Sequence, residues 1–239
     1  MTEHKQVYQH DADRYQRLIA REDYQENLLP AIQKITRLEN KDVLDLGAGT
    51  GRLACLLAPR VRSIIAFDLS PHMLAVAAAR LNAEGQKNWQ TIAADHRSIP
   101  LEQGCADLVI SGWSFCYLVV WEEENWQMAL DAGLNEIDRL LNDGGKVIII
   151  ETLGTGVESP EKLEKLKHYF RYLEKAGFQR SWIRTDYQFR DQEEARELTG
   201  FFFGEDMLAM IGEEKNPILP ECTGLWWRSK RTQAERKEK

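Results

Sequence analysis

Residues 43–51 read VLDLGAGTG, an acid, Asp45, followed by Gly47, Gly49 and Gly51 at alternate positions after a short apolar stretch. Glycine at this spacing lets backbone lie directly against a ligand. The first amides of a following helix favour a negatively charged group. A phosphate loop needs G-x-x-x-x-G-K-[ST], and no such lysine and hydroxyl follow here. A dinucleotide turn prefers G-x-G-x-x-G. Counting from Gly47, the sixth position is Arg52, whose long side chain would crowd the helix–strand contact. Two more acids close apolar stretches, Asp68 in AFDLSPHML and Asp95 in AADHRSIP. Ionised carboxylates accept strong hydrogen bonds and suit sugar hydroxyls. Each also has an ordinary use, Asp68 as a helix cap beside Ser70 and Asp95 as the start of a turn.

An acid two residues ahead of G-x-G-x-G resembles the first motif of the class I S-adenosylmethionine-dependent methyltransferases. The resemblance continues through Asp68, Asp95, the fourth-strand stretch ADLVIS and the helix–turn–strand stretch LLNDGGKVIIIE. It covers about residues 41–151 and extends more loosely beyond. It implies S-adenosyl-L-methionine as cofactor, which carries a sulfonium, an ammonium and a carboxylate but no phosphate, so the loop needs no lysine. On this resemblance Gly47, Ala48, Gly49 and Gly51 lie against the methionine part. Asp68 takes the ribose hydroxyls, with Leu69 beside it. Asp45 orients the loop or reaches the ammonium through water. Met73 and Ile99 flank the adenine, Asp95 and His96 face it, and Ser111 of the fourth-strand motif completes the cofactor set. The implied activity is methyl transfer to an O, N or S atom of a small molecule. The alternatives are a protein or tRNA acceptor, or a non-catalytic cofactor-binding regulatory module; a nicotinamide-dependent oxidoreductase is a further rival.

Methyl transfer from a sulfonium is an in-line displacement, so holding the acceptor in line and dry supplies much of the catalysis. A general base is needed only where the acceptor must lose a proton. Similar enzymes acting on exocyclic amino groups of bases often carry Asn/Asp-Pro-Pro-Tyr/Phe after the fourth strand; here the place reads SGWSFCYL, which disfavours that substrate. Candidate acceptor-side residues are Trp113 and Tyr117 after the fourth strand, Glu151 and Thr152 after the fifth, His168 on a later helix, and Tyr8 near the N-terminus. Phe115 and Tyr169 read more readily as core. His168 is the best candidate base. The four cysteines, Cys55, Cys105, Cys116 and Cys222, show no metal-ligand spacing, and no metal is expected.

The elements that would position these residues alternate. Strands are expected at KDVLDL, RSIIAFDL, WQTIAAD, ADLVIS and KVIIIE, with a helix from Ser70 to Gly85 and another from Asn125 to Leu141, closed by Gly144 and Gly145. Such alternation predicts an α/β, doubly wound, mostly parallel sheet. The resemblance makes it seven-stranded with an antiparallel last strand. Residues 1–40 are expected as a helical segment covering the site, with Asn27 as a cap near Pro30. Residues 41–151 form the cofactor-binding core. Residues 152–229 hold a lid helix opened by Ser159 and Pro160, a strand at FQRSWIRTDYQF, a helix at EEARELTGFFFGEDMLAMIG and a last strand at GLWWRS. Without a proline- or serine-rich linker, 1–229 is expected as one domain, with 230–239 a flexible tail. The 239 residues carry a net charge of −7, which argues against a DNA partner. No apolar run approaches the ~20 residues of a membrane span. The polar N-terminus, without a signal core, points to the cytoplasm. FFF at 201–203 and WW at 226–227 are expected to serve packing or a homodimer contact.

Overall fold

The computed structural model describes residues 3–161 and 163–230; the expected tail lies, from residue 231 on, outside the described residues. The chain divides into two compact units. The larger takes residues 36–151, 164–181 and those from 225, and the smaller takes 152–163, 182–224 and those up to 35. Three of the five boundaries fall within the strands at residues 141–155, 179–184 and 221–229.

The order begins with helices α1 (Glu3–His10), α2 (Ala12–Ile19) and α3 (Leu28–Ile35). It continues through β1 (Asp42–Leu46), α4 (Arg52–Leu57), β2 (Ser63–Asp68), α5 (Pro71–Ala83), β3 (Trp89–Ala93) and β4 (Ala106–Gly112). Then come α6 (Cys116–Val120), α7 (Trp126–Leu140), β5 (Leu141–Thr155) and α8 (Lys167–Lys175). The chain continues with β6 (Gln179–Arg184), β7 (Tyr187–Gln188), α9 (Gln192–Phe203), β8 (Ile218–Leu219) and β9 (Glu221–Ser229).

Seven strands form one mostly parallel sheet in the order β3-β2-β1-β4-β5-β9-β6, with an antiparallel strand. β1 pairs parallel with both β2 and β4. The chain winds outward from β1 in one direction to β3 and in the other to β5, so its direction reverses between β1 and β4. In such sheets the ligand crevice opens beyond the carboxyl ends of the strands at that point. β1, β4 and β5 read as apolar runs because both their faces are covered: Val43, Leu44, Leu108, Val109, Ile110 and Val147–Ile150 are all buried. α5 starts where the Ser70 hydroxyl accepts the Met73 amide at 3.3 Å, and it buries Met73, Leu74, Ala77 and Leu81. Phe170 and Trp226 stack at 4.6 Å in the larger unit.

In the smaller unit, Leu18, Tyr187, Phe189, Ala195, Leu198 and Leu219 form a core, with Phe202 and Phe203 packed against it. The aromatic runs FFF and WW, expected to serve packing or a homodimer contact, contribute Trp226, Phe202 and Phe203 to packing within a unit. Four local expectations change. The helix entry at Asn27 is capped by Asp23, whose carboxylate accepts the Asn27 and Leu28 amides at 2.9 and 3.0 Å, while the Asn27 side chain donates to the Arg184 carbonyl. α8 begins at Lys167, where Tyr169, Phe170 and Leu173 supply a buried face. The strand expected over 178–189 breaks into β6 and β7, and Gly204, at φ 91°, divides the expected C-terminal helix into α9 and a 3-10 turn over Glu205–Met210.

Candidate functional site

The site grows from the turn between β1 and α4. Gly47, Gly49 and Gly51 all have left-handed backbone, φ 74°, 54° and 81°. The amides of Gly47 and Ala48 both donate to the Phe67 carbonyl at 2.8 Å, and the Gly49 amide donates to Asp68 Oδ2 at 2.9 Å. The turn is therefore pinned to the end of β2. The glycines differ in what faces them. A Cβ on Gly47 would lie 1.8 Å from Ser114 Oγ and 2.8 Å from His96 Nε2, and one on Gly51 would lie 2.8 Å from Ala77 Cβ. Both positions are closed by the protein itself. A Cβ on Gly49 would meet only Met73 Cε, at 3.4 Å. Gly49 is where the turn offers its backbone to something else.

Asp45, at the end of β1, is 1% exposed, and neither carboxylate oxygen has a hydrogen-bond partner. Burial first, and then the nearby charge of Asp68, push its carboxyl up to about 8; the Ala54 amide, too poorly placed to count as a hydrogen bond, offsets this only in part. An orphaned carboxylate at this depth is costly unless a cation or donor joins it. Asp68 is half-buried, and its Oδ1 accepts the Ser70 amide at 2.8 Å. Burial holds its carboxyl above the usual range despite amides from Ser70, Gly49 and Leu69. Each of its oxygens keeps a second lone pair for a hydroxyl donor. Leu69 next to it is 64% exposed.

Four further cofactor-side candidates, Asp95, Ser111, Ile99 and His96, have partners within the protein. Asp95 is occupied by Arg97, which donates to it from Nε at 2.9 Å, Nη2 at 2.6 Å and the backbone at 2.8 Å; that hydrogen bonding holds its carboxyl below the ordinary range. Ser111 gives its hydroxyl to the Leu46 carbonyl at 2.7 Å, tying β4 to β1. Ile99 is buried, its amide donating to Glu136. His96 lies near the turn, with Nε2 at 3.2 Å from Ser114 Oγ and its ring stacked on Phe115 at 5.1 Å. Burial lowers its imidazole to about 4, so it is neutral at physiological pH.

On the acceptor side, Trp113 stands at the carboxyl end of β4 and Tyr117 stacks on Trp121 at 4.3 Å. Glu151 is fully buried within β5, which runs past it to Thr155. Glu151 and Thr152 thus lie inside the strand, not after it. Glu151 Oε1 accepts the Cys116 amide at 2.9 Å and the Tyr169 hydroxyl at 3.0 Å. Burial raises its carboxyl to about 7. His168 is exposed on α8. Tyr8 belongs to the smaller unit, edge-on to Tyr15 at 5.4 Å. Sequence reasoning named Cys116 only as a cysteine without metal-ligand spacing and did not name Ser114; both reach these residues only through the fold. Among the described residues no group of three or more His, Cys, Asp or Glu is placed to hold a metal ion, and no helix is long and apolar enough to cross a membrane.

Residues 44–149 match the family model for a methyltransferase domain. The chain is 31% identical over 128 residues to a demethylmenaquinone methyltransferase of Lactococcus lactis, a match covering 51% of this chain and 46% of that protein. It is 31% identical over 160 residues to a malonyl-[acyl-carrier protein] O-methyltransferase of a Marinomonas strain, covering 63% of this chain and 54% of that one. The chain thus spans about half the length of these curated relatives. The crystal structure of a SAM-dependent methyltransferase from Aquifex aeolicus shares the fold, with TM-score 0.55 and 18% identity over 84% of this chain and 88% of that one.

Proposed function

From a chain whose residues 44–149 are a class I S-adenosylmethionine-dependent methyltransferase domain, we propose an enzyme that methylates a small molecule. The observation that carries the cofactor reading is the orphaned carboxylate of Asp45 beneath a glycine turn whose middle residue faces only Met73 Cε. The chemistry fits: S-adenosylmethionine supplies an activated methyl group on a sulfonium, together with an ammonium that Asp45 can hold directly or through water. Gly49 admits the close approach of the methionine part. Asp68, whose two oxygens each accept a backbone amide and keep a second lone pair, takes the ribose hydroxyls. Leu69 and Met73 supply apolar surface for the adenine. The protein's task in the transfer is to fix the acceptor in line and exclude water.

The relatives support a small-molecule acceptor, since their names concern demethylmenaquinone and malonyl-acyl carrier protein. The four cysteines are free, in keeping with a cytoplasmic setting. Isothermal titration of purified protein with S-adenosylhomocysteine, against NAD in parallel, is the test. Heat with the first and none with the second is the expected result. A response to NAD alone overturns the reading.

A further inference from the structure

The carboxyl end of β3 lies where the cofactor's base must go. The strands run in the order β3-β2-β1. Asp68 pairs with Ala93, and the Ala94 amide donates to the Asp68 carbonyl at 3.0 Å. Neighbouring strands stand about 4.8 Å apart, so Asp95 follows one strand over from Asp68. With the methionine part at Gly49 beyond β1 and the ribose at Asp68 beyond β2, the base continues toward β3. There Arg97 holds Asp95 from three points. Its backbone amide and Nε donate to Oδ1 at 2.8 and 2.9 Å, and Nη2 donates to Oδ2 at 2.6 Å. An ionised carboxylate offers about four lone pairs. Three are taken, and one on Oδ2 stays open. The Asp95 side chain is 28% exposed, so a ligand can reach it. The guanidinium is anchored in turn, since Nη1 donates to Glu122 Oε1 at 3.0 Å. The Ser98 amide closes the turn on the Asp95 carbonyl at 3.0 Å, and the Ile99 amide ties it to Glu136 of α7 at 2.7 Å.

We propose that Arg97 is a positioning residue: clamped between Asp95 and Glu122, it fixes the Asp95 carboxylate against the base, so that the site selects adenine over a base with an oxo group in place of the amine. The proposal rests on the cofactor reading above. A carboxylate only accepts hydrogen bonds, so it suits the adenine amine and repels an oxo oxygen at the same place. How strongly it discriminates depends on whether it can turn away. A mobile Asp95 would rotate toward water when an oxo base arrived, and the mismatch would cost little. Held by the planar fork of an arginine, which meets both carboxylate oxygens at once as a lysine does not, it stays in place and the mismatch is felt. Holding it in advance also removes ordering entropy that would otherwise be lost on binding. These ion pairs are partly exposed and contribute little to stability, so their value lies in placement, and the fold survives their removal.

The test is titration calorimetry with S-adenosylhomocysteine and with S-inosylhomocysteine, which carries an oxo group where adenine has its amine. Both are run on wild type, Arg97→Gln, Arg97→Lys and Glu122→Ala. Wild type should bind the adenosyl ligand about tenfold or more tightly than the inosyl ligand. Arg97→Gln should cut that ratio by about threefold or more. Arg97→Lys should restore only part of it. Glu122→Ala, which releases the far end of the guanidinium, should fall between wild type and Arg97→Gln. The ratio is the readout because a general loosening of the turn weakens both ligands alike and leaves it unchanged. Equal affinity of wild type for the two ligands, or a ratio that Arg97→Gln leaves intact or raises, overturns the proposal while the cofactor reading stands. A wild-type protein that binds neither ligand counts against the cofactor reading itself, and the proposal falls with it.

Discussion

Asp45 is the residue on which the cofactor reading turns, and its burial makes that reading measurable. With its carboxyl pushed up to about 8, the ligand-free protein holds it protonated near neutrality. A cationic partner favours the ionised form, so binding releases a proton wherever the pH lies below that value. S-adenosylhomocysteine affinity should therefore rise by up to about tenfold per pH unit between pH 6 and 8 and then level off. Asp45→Asn should bind more weakly and lose the slope; a wild-type dissociation constant that stays flat from pH 6 to 8 would remove Asp45 from the ammonium. The residue types and spacing at this turn were legible because glycine at 47, 49 and 51, directly after an apolar strand, suits little besides close approach of the backbone. What each glycine faces was not. Gly47 and Gly51 accommodate Ser114, His96 and Ala77, contacts between segments far apart in sequence. Arg97 shows the same limit: it stands two residues after Asp95 in plain view, but only the folded turn brings its guanidinium onto that carboxylate.

At the scale of elements, Glu151 joins β5 to α6 through the Cys116 amide and to α8 through the Tyr169 hydroxyl. Removing the donor in Tyr169→Phe should cost about 1–3 kcal/mol. Raised from 4.5 to about 7 by burial, the carboxyl contributes stability that is complete below pH 4.5 and lost as pH rises through 7. Glu151→Gln keeps an acceptor oxygen and removes the ionisation. The difference in melting temperature between variant and wild type should grow in the variant's favour from pH 5 to 8; a constant difference would mean that Glu151 does not titrate in this range. Legibility followed burial periodicity here. α5 and α7 appeared close to their expected bounds because each carries a full apolar stripe. α6 was not expected, because its five residues CYLVV are too short for a period to show. β5 was read short because the glycines at 144 and 145 signal a helix end. In the structure Leu141 already pairs with Ala106, and the glycines sit in the irregularity before Lys146 pairs with Leu108.

For the whole molecule, the mostly parallel, seven-stranded sheet followed from alternation and from the resemblance, whereas the division into two units did not. Each unit draws on stretches far apart in the chain, and three of the five boundaries lie inside β5, β6 and β9, where nothing in the sequence marks a break. Assembling the larger unit therefore depends on long-range clamps, and Arg228 of β9 is the most buried of them. It meets Asp138 of α7 through two parallel bonds, 2.8 and 3.0 Å, with both side chains about 5% exposed or less. It also lies over the Phe178 ring at 4.9 Å, so one guanidinium touches all three stretches of that unit. Breaking a buried pair from one side leaves the other charge without compensation. Arg228→Met should then lower unfolding free energy by about 3–5 kcal/mol, and adding Asp138→Asn should recover part of the loss, since no uncompensated charge remains. Urea unfolding of the two singles and the double reads the coupling directly. Additive losses would show that the pair merely coincides with the junction, and the ring contact with Phe178 would then be what fastens the last strand.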